Sequence, residues 1–309
     1  MRTYRISAPA KINLILNILQ KRPDGYHDLC SLFHRVSLSD TLLICKKQKP
    51  GLKLDVSGSE VPTGKDNTIV KAYQALSRQT KMKLGLEVRL KKNIPIFSGL
   101  GGGSSDAASF LVAANCVLGL GFSQSKLMRI GGLVGSDVPF FIRDTSFALV
   151  EGKGHRVIPI SCKSPNFFVI VTFKNRGLST SKMYQSIDKK NRQPVSLTMV
   201  RANVKLCANL LNKRLLKEAN KYFYNDFLPI AEKKIKRISQ IIRFWRKQNI
   251  PCLMSGSGSS VFAVFQNKRV ALEEVKRLKK QRDLKVYLAE SYEESIHAEI
   301  KRSYSSENN

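Results

Sequence analysis

Long hydrophobic runs are missing from this 309-residue sequence. None approaches the roughly 20 apolar residues that cross a bilayer, which excludes a membrane-spanning helix. The opening "MRTYRISAPAKINLILNIL" has the outline of a signal peptide, but Lys11, Asn13 and Asn17 interrupt its apolar part and argue against that reading. Cys-x-x-Cys pairs are absent too. Cys30, Cys45, Cys116, Cys162, Cys207 and Cys252 stand apart, which suits reduced thiols in a cytoplasm and argues against structural zinc. Acidic residues are scarce, 23 against 53 Lys and Arg, for a formal net charge of +30. Clusters such as "KKQKPGLK", "EKKIKR" and "KRLKKQRDLK" are a footprint that can hold nucleic acid. No nucleic-acid module signature accompanies them, and aromatics do not interleave with them. A solvated, lysine-rich enzyme surface that attracts anionic substrates accounts for the same charge. There is no internal repeat.

What is present is enough apolar residue, 42%, in mixed periodicities, to build a globular α+β protein of about two domains. The segment "PIFSGLGGGSSDAASFLVAAN", residues 95 to 115, stands out. Before it, Leu84, Leu86, Val88 and Leu90 alternate with polar residues as in a half-buried strand. After it, Ala107, Phe110, Leu111, Ala114, Val117 and Leu118 recur at a helical period. Ser104 or Ser105 is expected to cap that helix, and Gly119 and Gly121 to end it. Strand, glycine loop and helix N-terminus together make an anion site, because unpaired N–H groups and the helix dipole face a ligand that glycine lets approach. A Walker A loop is excluded, since no lysine occurs between Pro95 and Leu111. A dinucleotide loop is excluded as well, since Ser104 stands where the third glycine belongs. A plain glycine-rich turn remains the alternative.

Residues 8 to 19 read as a strand that aims Lys11 and Asn13 at one face. "RPDGYHDL" is a turn with its corner at Asp24-Gly25. "DNTIVKAYQALSRQT" is a helix capped near Asp66 or Asn67. A helix over about Ser123 to Val134 leads to the "GSDVPFFI" loop with Asp137. After residue 160 the composition shifts. "FFVIVTF" is a buried strand, followed by a polar, basic stretch containing "LSTSKMYQSID". "EKKIKRISQIIRFWRKQ" reads as one helix with Ile235, Ile238, Ile242 and Trp245 on one side. Strands "PCLM" and "VFAVF" flank the loop "SGSGSS", which a hairpin turn explains about as well as a second site does. A basic helix from about Arg269 to Lys280 and a last strand, "LKVYLAES", complete an α+β sandwich. The tail "KRSYSSENN" reads as disordered. Phosphoryl transfer needs phosphate cradling, charge neutralisation and a group that orients or deprotonates the attacking hydroxyl. The backbone of 99 to 105, Lys11 and Asp137 can supply these, although a lone loop Asp usually caps a helix and a strand-end Lys usually reaches solvent.

"APAKINLILNI", "RPDGYHDLCSLF", "PIFSGLGGGSSDAA", "LVGSDVPFFI" and "LMSGSGSSVFAVF" resemble, in order, the motifs of the 4-diphosphocytidyl-2-C-methyl-D-erythritol kinases. These belong to the GHMP (galactose, homoserine, mevalonate, phosphomevalonate) kinase superfamily. The resemblance implies a kinase dependent on ATP and Mg2+ that phosphorylates the 2-hydroxyl of that small molecule in the non-mevalonate isoprenoid pathway. It implies Lys11 and Asp137 as the catalytic pair. The ATP loop would be Pro95, Ile96, Phe97, Ser98, Gly99, Leu100, Gly101, Gly102, Gly103, Ser104 and Ser105, with Asn67 at adenine. Asn13 would lie near the erythritol hydroxyls and Tyr26, His27 and Tyr184 around cytidine, with no metal ligand assigned to a side chain. The implied fold is α+β with two domains. An ATP-binding domain resembling ribosomal protein S5 domain 2 would span 1–160, and a ferredoxin-like domain 161–300, its last strand free to pack back on the first. The implied enzyme is a cytoplasmic (or plastid stromal) monomer or homodimer with neither membrane nor specific nucleic-acid partner. Phe97 and Ser98 depart from the small residues common in such loops and would crowd the loop entry. A GHMP kinase for another alcohol such as mevalonate, or a basic nucleic-acid-binding protein, are the alternatives that "DGYH" and the Lys11, Asp137 and glycine set weigh against.

Overall fold

The computed structural model describes residues 2–300 apart from 59–60, 81, 163–165, 175–176, 190–194 and 298. The tail expected to be disordered, 301–309, lies outside the described residues. Two long strands, β1 (Thr3–Lys21) and β2 (His27–Lys46), open the chain as an antiparallel hairpin. Their corner is the expected Asp24-Gly25 turn, where Gly25 takes a φ of 81° that glycine alone adopts without strain. The pairing register shifts between Pro9 and Ala10 and again between Asn13 and Ile15. These bulges bracket Lys11 and re-aim the strand just there.

The first half continues with β3 (Gly51–Ser57), α1 (Thr68–Thr80), β4 (Gly85–Lys91), α2 (Gly102–Val117), α3 (Gln124–Gly132), α4 (Val138–Arg143), β5 (Phe147–Gly152) and β6 (Arg156–Pro159). The second half holds β7 (Phe167–Phe173), α5 (Thr180–Asp188), α6 (Leu197–Asn212), α7 (Leu216–Asn220), β8 (Tyr224–Asn225), α8 (Leu228–Lys234), α9 (Lys236–Lys247), β9 (Cys252–Met254), β10 (Val261–Phe265), α10 (Lys268–Lys279) and β11 (Leu284–Glu290). Among the described residues one sheet runs β3-β4-β2-β1-β8, with β5 on β2 and β6 on β5, and the other runs β11-β7-β10-β9. The α+β class is therefore as expected. β1 is buried along both faces rather than alternating: Ile12, Leu14, Ile15, Leu16 and Ile18 are all core, because α2, β8 and α6 also pack against it.

The two halves interlock. β8, from the second half, joins the first sheet parallel to β1. The last strand pairs with β7 and also packs on β2, where Glu290 N donates to Ser37 Oγ (2.9 Å), and the chain after it continues along the first half. There Glu299 accepts from the backbone and hydroxyl of Ser7, and Asp144 accepts from Ile296 N. Three local readings need correction. The helix read as one across residues 232–248 is two, broken at Ile235, whose φ of −131° is extended. The polar stretch after β7 contains α6, with Val200, Val204, Cys207 and Leu211 buried along one side and Ser196 as its N-cap. Finally, α2 starts at Gly102 and is preceded by Gly101 at φ 73°, so neither Ser104 nor Ser105 caps it. Among the described residues no helix is long and apolar enough to cross a membrane.

Candidate active site

The loop between β4 and α2 is shaped by backbone contacts rather than by side chains. A Cβ on Gly99 would lie 2.3 Å from the Ser255 carbonyl oxygen, and one on Gly256 would lie 2.9 Å from the Gly99 carbonyl oxygen. The Ser255 hydroxyl donates to Gly99 O (3.0 Å), and Ser260 N donates to Ser98 O (3.1 Å). The second Gly/Ser loop is thus more than a hairpin turn: it clamps the first. Asn225 holds the clamp in turn, its amide donating to Met254 O (2.7 Å) and Gly256 O (2.9 Å). Phe97 does not crowd the entry. Its backbone adopts φ 51° and turns the ring outward, 75% exposed.

Beneath the loop, Lys92 Nζ donates to Asp40 and to Asp106 (2.7 Å), all three buried. Asp40 also accepts from Asn93 N (2.6 Å) and Ile94 N (2.8 Å), fixing the end of β4. Burial pushes the Asp106 carboxyl up to about 8 despite Lys92, and Asp40 adds to the push. Burial opposes charge on Lys92, yet the two carboxyls together raise it. No acidic residue stands in the first turn of α2, so its positive end is left for an anion.

Lys11 meets this loop from β1. Its backbone N–H donates to Leu100 O (2.9 Å), and its stem lies against Gly101, where a Cβ would come within 3.0 Å of Cγ. Its ammonium donates to Asn13 Oδ1 (2.7 Å) and stands 3.3 Å from Asp137 Oδ2 and 4.4 Å from the centre of the Phe33 ring. Asn13 donates onward to Ser31 Oγ (3.0 Å). Lys11, Asn13, Asp137 and the glycine loop are thereby together. Ser104 lies beside the turn that leads to Asp137, its hydroxyl 3.6 Å from the Cβ position of Gly135.

His27 and Tyr184 come together within electrostatic reach of Asp137. Their rings stack at 5.0 Å and 22°, and Tyr184 meets the Phe227 ring edge-on at 5.0 Å. Burial, with the charge of Asp137 adding to it, pushes the Tyr184 phenol up and keeps it neutral. Tyr26 stays outside this pair, 61% exposed, with Lys153 Nζ 4.9 Å from its ring centre. Asn67 is the N-cap of α1: its Oδ1 accepts from Ile69 N (2.8 Å) and its Nδ2 donates to Pro62 O (2.8 Å). Both ends of the amide are engaged, so a contact with a base would come at the expense of the cap. Its neighbour Thr68 does reach the loop, 3.3 Å from the Cβ position of Gly103.

Sequence reasoning missed Ser31, Asn225, Lys92 and Asp188, and singled out the loop of Ser255 without giving Ser255 a role. Of these four, Asp188 had a local signal, standing four residues after Tyr184 and so on the same side of α5.

A glycine loop stands at a helix N-terminus beside a lysine–aspartate pair, and comparison with known proteins defines the class: a GHMP-type small-molecule kinase. Residues 67–145 match the GHMP kinases N terminal domain. The chain is 33% identical to the 4-diphosphocytidyl-2-C-methyl-D-erythritol kinase of Geobacter sp. (strain M21), over 91% of this chain and 96% of that one. It is 35% identical to the enzyme of that name from Geobacter sulfurreducens, over 88% and 93%. A crystal structure of 4-(cytidine 5'-diphospho)-2C-methyl-D-erythritol kinase superposes with a TM-score of 0.73 at 25% identity, over 93% of this chain and 99% of that one. A homoserine kinase from Cytophaga hutchinsonii shares the fold, with a TM-score of 0.74 at 17% identity over 95% and 96%. The chain belongs to the 4-diphosphocytidyl-2-C-methyl-D-erythritol kinase family. ATP is the phosphate donor of such kinases.

Proposed function

We propose that this chain transfers the γ-phosphoryl group of ATP to the 2-hydroxyl of 4-diphosphocytidyl-2-C-methyl-D-erythritol, releasing ADP and the 2-phosphate, in non-mevalonate isoprenoid precursor biosynthesis. One observation carries the reading: Lys11, paired with Asp137, bonds to the glycine loop, and the charge of Asp137 is felt by Tyr184, whose ring stacks on His27, so that a candidate phosphate cradle and a candidate base platform meet at one pair. Asp137 accepts a hydrogen bond from the attacking hydroxyl and takes its proton as the phosphoryl group leaves ADP. Lys11 offsets charge on the transferring oxygens. Backbone N–H groups of the loop and of the first turn of α2 hold the phosphates. Asn13, fixed between Lys11 and Ser31, faces the erythritol hydroxyls.

No group of three or more His, Cys, Asp or Glu among the described residues could hold a metal ion by itself. That fits a Mg2+ ion taking most of its oxygens from phosphates and water. The Ser104 hydroxyl and the Asp137 carboxylate are the side chains that would add to it. Bound there, Mg2+ supplies neutralisation of the phosphate oxygens. The bacterial relatives favour a cytoplasmic site of action over a plastid one.

A coupled assay of ADP release tests the reading: turnover is expected with the cytidyl substrate and none with mevalonate. Mevalonate turnover would sink it. A pyrimidine that stacks on Tyr26 gains about 1–3 kcal/mol by analogy with nucleic-acid sites. Tyr26→Ala is therefore expected to raise KM for the cytidyl substrate by about tenfold or more, with KM for ATP nearly unchanged. An unchanged substrate KM would remove Tyr26 from the cytidine subsite.

The +30 charge is expected to add only salt-sensitive attraction for polyanions. Duplex DNA binding seen at low salt should fade steeply between about 50 and 200 mM, as counterion release requires. Sequence-selective binding that persists at physiological salt would restore the nucleic-acid alternative.

A further inference from the structure

Asp188 ends α5 and reaches across to the first half of the chain. Its Oδ1 lies 2.6 Å from His27 Nε2, and its Oδ2 accepts from Lys21 Nζ at 2.6 Å. The His27 side chain is only 6% exposed and its ring is flat against Tyr184, so the imidazole has little freedom to turn. A neutral imidazole offers one donor and one acceptor, and the partner of one nitrogen decides which is which. Lys21, and then His27, hold the Asp188 carboxyl below the ordinary carboxylate range, so it is an acceptor only. Nε2 must then carry the hydrogen. Nδ1 has no partner among the described residues and, in the neutral ring, is left as an acceptor.

We propose that Asp188 is a positioning residue for base selection. By fixing the His27 tautomer it leaves Nδ1 to accept from an exocyclic amino group, and so favours cytosine over uracil. The inference rests on the cytidyl reading of this site. Cytosine carries an N4 amino donor where uracil carries the O4 acceptor. Against Nδ1 the first makes a hydrogen bond, whereas the second sets two lone pairs against each other with neither satisfied. The selection would come from a residue 161 positions away from His27 in sequence, so the subsite is complete only when α5 is docked on the hairpin.

The test compares inhibition by CDP and by UDP, each against the cytidyl substrate, in the wild type, Asp188→Ala and Lys21→Met. The wild type is expected to prefer CDP by about tenfold or more, the cost of one buried polar mismatch. Asp188→Ala should narrow that preference to within about threefold and place its loss on substrate KM rather than on kcat. Lys21→Met, which removes charge but not the His27 bond, should keep the wild-type preference. An unchanged preference in Asp188→Ala overturns the proposal, and so does an equal loss in Lys21→Met, which would mean that charge alone is at work. A wild type inhibited by neither diphosphate overturns the cytidyl reading itself. Nitrogen NMR of the wild type decides the tautomer without any variant: the sequence has four histidines, and neutral His27 should show a protonated Nε2 and a bare Nδ1. A hydrogen on Nδ1 of the neutral ring would refute the assignment.

Discussion

Asp137→Asn is expected to lower kcat by about 10²-fold or more, typical of losing a positioned acid-base group, while ATP binding persists. Asparagine has nearly the same shape but cannot take a proton from the attacking hydroxyl. The surroundings make this a clean substitution. Lys11 loses the carboxylate 3.3 Å away but keeps its bond to Asn13 Oδ1 at 2.7 Å and its seat over the Phe33 ring. Its ammonium therefore stays in place, and the lost rate reports on Asp137 itself. Lys11→Met should also lose rate, and the double variant should be no worse than the sum of the two, since both act on one transition state. Steady-state turnover with calorimetric ATP binding checks this. Near-normal turnover in folded Asp137→Asn would take the residue out of the chemistry.

Gly101→Val is expected to abolish measurable ATP binding and to lower the turnover that remains. The sequence alone suggests an effect on affinity, because a branched side chain would stand where phosphate oxygens approach the backbone. The structure adds two further causes. Gly101 has φ 73°, a region that costs an L-residue roughly 1–2 kcal/mol and a β-branched one more. Its Cβ would also come within 3.0 Å of Lys11 Cγ and 3.2 Å of Phe141 Cζ. The new side chain can be accommodated only by moving the lysine or tilting the start of α2. Both affinity and kcat should fall, in a protein whose far sheet, β11-β7-β10-β9, is untouched. Calorimetry and the coupled assay on variant that retains its circular dichroism read the two effects separately. Wild-type ATP affinity in that protein would take the loop out of the site.

The parts of the site legible in the sequence are those whose partners lie within a few residues. Lys11 and Asn13 share a face because strand side chains repeat every two residues, and their 2.7 Å contact follows. Asn67 was legible as a cap because an N-cap bonds to N–H groups two or three residues ahead. Glycine clustering marked the loop before α2 for the same local reason. Even so, local pattern misjudged where α2 begins: it starts after the left-handed Gly101, a conformation that the Lys11–Leu100 bond and the Gly99–Ser255 contact hold and that serine caps cannot foretell. It also joined α8 to α9, because the apolar spacing continues through Ile235 although the backbone does not.

Motif resemblance supplied the family and the roles that Asp137, His27 and Tyr184 are proposed to play. Which groups actually meet was decided only by the tertiary structure. Ser255 reaches Gly99 across 156 residues, Asp188 reaches His27 across 161, and Lys92 finds Asp40 across 52. No periodicity encodes such pairs. They form because the apolar faces of two sheets and their helices pack in one arrangement, and the polar groups carried into that interior must then pair with whatever the packing brings beside them.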